Sequence, residues 1–209
     1  MRSICVSLIL LFAITASYAV KIPQCKCSSI EPCKNAYANS IMPCADQCKS
    51  FASAVGADYG KLRQCLLAKE PQLRKTMACV EASHGNACAK GNPLMVEKRY
   101  PETLKIAALS EINAMLVKNG IAGQVKGLMS TGKKLFGCMR KCVDAKAGNC
   151  AKKLGCGLQL PPDNALVQNA KKCAIQSGFN TAGIRELCNC AAGAGVKGLA
   201  GVCNKINVS

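Results

Sequence analysis

Residues 44–55 read Cys44-Ala45-Asp46-Gln47-Cys48-Lys49-Ser50-Phe51-Ala52-Ser53-Ala54-Val55. Cys44, Cys48, Phe51 and Val55 recur at i, i+4, i+7 and i+11, which is one face of an α-helix. Two cysteines four apart on a helix stand one turn above the other on the same side. Each then bonds a partner on a neighbouring segment rather than its twin, so the helix is stapled at two places. A helix starting at Ser40 or Met42 is expected, with Pro43 in its first turn, where proline is tolerated. Leu135 to Val143 repeats the pattern, with Cys138 and Cys142 four apart.

Working outward, Lys61 to Met77 reads helical, with Leu62, Cys65, Leu66, Leu73 and Met77 apolar. Pro71 must kink or divide it, because proline removes an i→i−4 hydrogen bond. Glu102 to Lys118 carries Leu104, Ala108, Ile112 and Met115 in register, with Lys105 intruding and Asn119-Gly120 as a stop. No alternating apolar–polar run of strand length stands out. The expected fold class is mainly α.

At the N-terminus, Met1-Arg2-Ser3 gives a charged start, Ile4 to Ile14 a short apolar run, and Ser17-Tyr18-Ala19 a small-x-small site. Together these predict a signal peptide over 1–19 and a secreted, extracellular protein without a transmembrane segment. Of the 17 cysteines, Cys5 falls in this leader, leaving sixteen. An even number in a secreted chain reads as a disulfide framework. Cys25, Cys27, Cys33, Cys44, Cys48, Cys65, Cys79 and Cys88 form a first set. Cys138, Cys142, Cys150, Cys156, Cys173, Cys188, Cys190 and Cys203 form a second. Eight in each set predicts two small disulfide-stapled helical modules, 20–90 and 138–209, joined by a cysteine-free, partly helical linker over 91–137. Within a set, eight cysteines allow 105 connectivities, which spacing does not resolve.

Composition explains the need for bridges. Aromatic residues make up 4% of the chain and tryptophan is absent, so large buried side chains are few. A unit of roughly 70 residues with such a core is marginal alone, whereas each native bridge contributes about 2–4 kcal/mol. Metal binding through Cys25-x-Cys27 or Cys188-x-Cys190 is the weaker alternative, given one histidine and an oxidising compartment. Matching intervals, such as sixteen residues between Cys48 and Cys65 and between Cys156 and Cys173, leave internal duplication open.

The Cys-x3-Cys pair followed by Phe51 and then widely spaced cysteines resembles the small cysteine-rich helical domains of nematode secreted proteins, of the chondroitin proteoglycan type. The resemblance covers 25–90 and, less well, 138–203. It implies a non-enzymatic role in an extracellular or eggshell matrix. Chondroitin attachment favours Ser-Gly beside acidic residues, but Ser177-Gly178 lies near Lys171 and Lys172.

The formal net charge is +17. Residues 119–209 hold thirteen basic and three acidic side chains, against ten and five over 20–90, so the excess lies in the second half. Lys133, Lys134, Arg140, Lys141, Lys152, Lys153, Lys171 and Lys172 are the candidate polyanion-binding residues, for a sulfated polysaccharide or an anionic surface. Nucleic acid is a poor match to the compartment, and no aromatic residues interleave to stack bases. His84, the single histidine, sits in Ser83-His84-Gly85-Asn86 and reads as a helix end, with no Gly-x-Ser-x-Gly elbow to support a triad. No catalytic residue, metal or cofactor is assigned. The expected function is a structural or binding protein of an extracellular matrix, with matrix proteins or anionic polysaccharide as partners. The alternatives are a lipid or small-ligand carrier with a cavity between stapled helices, and a cationic toxin or antimicrobial protein.

Overall fold

A computed structural model of the protein describes residues 20–208. Residues 1–19, where a signal peptide containing Cys5 is expected, lie outside the described residues.

The chain is mainly helical, as expected. In order, it forms strand β1 (Lys21–Pro23), helices α1 (Cys27–Gln47), α2 (Ser50–Ala54), α3 (Tyr59–Ala68) and α4 (Glu70–Ser83), then strand β2 (Met95–Glu97). Helices α5 (Pro101–Lys118), α6 (Lys126–Lys146), α7 (Cys150–Lys153), α8 (Asp163–Gln176) and α9 (Thr181–Gly193) follow, with a 3₁₀ turn over Cys203–Lys205.

Several elements end where the residues dictate. Pro71 divides the 61–77 stretch, ending α3 and standing in the first turn of α4. The Asp58 side chain caps α3 by accepting from the Lys61 N–H, and Asn180 caps α9 through the Gly183 N–H. Gly120, at φ 65°, stops α5 beside Asn119. Gly183 must be glycine for a second reason. A Cβ there would stand 1.9 Å from the Gly178 carbonyl oxygen.

Three expectations are corrected. The helix at 44–55 starts much earlier, at Cys27, and runs through both Pro32 and Pro43, whose rings face solvent. It ends at Gln47, so Phe51 lies on the separate short helix α2 and Val55 just beyond it. Two strands also form: β1 and β2 pair antiparallel with Ile22 opposite Val96. At three residues each they are too short to show alternation in sequence. Gly157 lies against this ribbon, and a Cβ on it would press Ile22 and Val96 at 2.9–3.2 Å.

The third correction concerns the bridges. All sixteen cysteines from Cys25 onward pair, but six of the eight bonds join the first set to the second: 25–156, 33–150, 44–142, 48–138, 65–190 and 79–173. Only 27–88 and 188–203 stay within a set. The two sets do not close on themselves, and the boundary expected at 137/138 falls inside α6. Parity counts partners without locating them. Each helix of the first half finds its neighbour in the second: α1 packs on α6, α3 on α9 and α4 on α8. Cys44 and Cys48 each reach a different partner, as helix geometry requires, but both partners lie on α6. A step of +4 on one helix matches −4 on the other, so the pair is antiparallel, with Cα separations of 5.6 and 6.1 Å.

The compact apolar core is small and off-centre. Ile121, Val125 and Val202 are buried together, with Leu116, Leu128, Met129 and Ile206 packed around them. Most other deeply buried positions are half-cystines and alanines.

Candidate functional site

The apolar faces of five helices meet around a hollow rather than on one another. On α1, Ala38, Ile41, Met42 and Ala45 form a stripe that continues into Cys48, Phe51 and Ala52. Tyr59, Leu62 and Leu66 supply the α3 wall, and Leu73, Met77 and Ala78 the α4 wall. The floor is α6, through Leu128, Thr131, Leu135 and Met139, with Phe179, Leu187 and Val196 at one side. The volume of this open hollow is about 720 Å³, inside the range of roughly 300–1,000 Å³ typical of small-molecule sites.

Bridges and polar latches tie the walls to one another. Bonds 44–142 and 48–138 fix α1 to α6, 65–190 fixes α3 to α9, and 79–173 fixes α4 to α8. At one end, Lys34 on α1 pairs with Glu81 on α4 at 2.5 Å and with Glu31 at 2.6 Å. These carboxylates raise the Lys34 pKa, Glu31 first and Glu81 second. At another, the Tyr59 hydroxyl donates to Asp46 at 2.6 Å, tying the start of α3 to the end of α1. Lys69, 8% exposed, joins the α3–α4 turn to Glu186 of α9 at 2.6 Å. Helices α1, α3 and α4 therefore frame three sides of the hollow, each tied to its neighbours by these links.

The cavity is not sealed. Leu66, Leu73, Met77 and Leu135, all lining it, remain 37–48% exposed. Large apolar side chains gathered in this way on one concave surface mark a binding site more often than chance exposure. The sequence marks Leu62, Cys65, Leu66, Leu73 and Met77 as the apolar residues of a helical stretch. It could not distinguish a face covered by protein from one left open.

The eight basic residues expected to bind polyanions spread over three helices: Lys133, Lys134, Arg140 and Lys141 on α6, Lys152 and Lys153 on α7, Lys171 and Lys172 on α8. Three are engaged within the protein. Arg140 donates to Glu102 at 2.7 Å and lies 4.0 Å from Asp144, which also faces Lys152 at 3.9 Å. Lys171 pairs with Glu111 at 2.9 Å and, with Gln168, holds the Glu111 carboxyl below the ordinary range. Arg140 and Lys171 thus fasten α5 against α6 and α8. Lys133 also lines a smaller cleft of about 370 Å³ between α5 and α6, with Lys126, Leu116 and Met129.

His84 closes α4, as expected of a helix end, and its Nε2 lies 3.3 Å from the Asn169 amide. Among the described residues no cluster of His, Cys, Asp or Glu could hold a metal ion, and no helix is long and apolar enough to cross a membrane. No family model, curated protein or solved structure matches the chain.

Proposed function

We propose that this chain is a secreted, non-enzymatic carrier that holds a small apolar molecule in the cavity between its stapled helices. The observation that carries this reading is the hollow of about 720 Å³ with Leu66, Leu73, Met77 and Leu135 exposed on its walls. A protein with so few large apolar side chains would be expected to bury them against one another. Here they face a shared space, while disulfides do the holding. Sixteen paired cysteines support an oxidising, extracellular setting.

The test is saturable binding of a neutral, environment-sensitive dye to the fully bridged protein. Ala45→Trp, which places an indole in the hollow, should abolish binding while leaving the helical spectrum unchanged. Absence of saturable binding to the unaltered protein sinks the reading.

A matrix role through anionic polysaccharide is the second reading. Its support is the group of exposed lysines on α6, α7 and α8 without an acidic partner within 4 Å: Lys133, Lys134, Lys141, Lys153 and Lys172.

A further inference from the structure

The charged residues lining the cavity are unequal in one respect. Lys34 is paired with Glu31 and Glu81, Arg74 with Glu70 at 2.6 Å, and Lys69 with Glu186. These pairs also use every acidic residue of the lining. Among the described residues, Lys49 is the one lining cation with no acid within 4 Å, and it acts on Asp46 only at longer range. The nearest acid in sequence, Asp46, is already committed, accepting from Tyr59 at 2.6 Å and from Arg63 at 2.8 Å. Lys49 stands between Cys48 and Phe51, where α1 passes into α2, so this exposed lysine borders an apolar wall.

An apolar hollow with one cation at its edge that no salt bridge engages is complementary to a molecule with an apolar body and one negative end. Resting on the carrier reading, we infer that the ligand is a single-chain anionic amphiphile such as a long-chain carboxylate. Its chain lies along α4 and α6, and its head is held by Lys49. The salt-bridged cations are weaker candidates, because a ligand carboxylate there competes with one already held.

The experiment uses the full mature chain with its bridges intact. N-phenylnaphthylamine, a neutral apolar dye, is bound and then displaced by palmitate or by hexadecanol, which share a chain length and differ in the charge of the head. Palmitate should displace it about three- to tenfold more effectively, as expected for one partly exposed charge pair. Lys49→Gln should erase that preference without changing displacement by hexadecanol, whereas Lys61→Gln, an exposed lysine outside the cavity, should leave it intact. Equal displacement by both lipids, or a palmitate preference that survives Lys49→Gln, overturns the assignment of the head group and leaves the carrier reading standing. Failure of the dye to bind overturns both.

Discussion

The Tyr59 hydroxyl donates to Asp46 Oδ1 at 2.6 Å, and the same oxygen accepts from the Arg63 guanidinium at 2.8 Å. One carboxylate thereby latches α3 onto the end of α1 at the edge of the cavity. Arg63, with help from Tyr59, holds the Asp46 carboxyl below the usual carboxylate range. Burial first, and the hydrogen bond to Asp46 second, push the Tyr59 phenol up to about 12.

This latch has a pH signature. A phenol whose pKa rises on folding keeps its proton in the folded chain while the unfolded chain loses it, so its contribution to stability is complete below about pH 10 and is lost as pH rises towards 12. Asp46 acts in the opposite range: its contribution is present at neutral pH and lost as acid protonates it. Phenolate absorbance of the bridged protein should show one tyrosine titrating near 12. Asp46→Asn should lower that midpoint only part of the way, since burial remains. Uniform titration of every tyrosine near 10 would contradict the latch.

Cutting the chain between its halves should not separate them. Lys98 is exposed just after β2, and trypsin cleavage there leaves six bridges spanning the cut. Electrophoresis without reductant should show one band, which resolves into two fragments on reduction. Fragments that separate without reductant would restore the two-module arrangement.

Truncations should distinguish cavity from core. Ile121, 1% exposed and fully packed, should cost about 2–5 kcal/mol when changed to alanine. Met77, 48% exposed on the cavity wall, should cost less than about 1 kcal/mol. Denaturant midpoints with the bridges intact measure both. Equal losses would mean that the hollow is packed in solution.

Retention on heparin tests the polyanion reading. Changing Lys133, Lys134, Lys141, Lys153 and Lys172 together to glutamine should lower the eluting salt concentration more than changing Lys21, Lys26, Lys61, Lys75 and Lys90, which are also exposed. Retention should also fall steeply with salt, since exposed charges are screened over about 8 Å at physiological ionic strength. Equal shifts from both sets would indicate diffuse attraction without a site.

Much of the secondary structure was legible in residues 27–193. Pro71 parted α3 from α4, Asn119-Gly120 ended α5, and the cysteines spaced by four lie on a helix or, for Cys48, at its C-cap, and bond outward. Less legible was α1, because the penalty of Pro32 and Pro43 is local, while the bridges and packing that outweigh it come from α6 and α7. The strand pair escaped notice because three residues are too few to display a period.

Residue type and spacing by themselves determined that this protein is helical, rich in disulfides, strongly basic and poor in core-forming side chains, since these follow from local periodicity and composition. Which cysteine meets which was decided only in three dimensions. A half-cystine records that it needs a partner, but its partner is set by which helices pack together, and these lie up to 131 residues apart. The cavity is of the same kind. Leu66, Leu73, Met77 and Leu135 read in the sequence only as apolar residues of helical stretches, and their meeting around one hollow follows from how the helices pack.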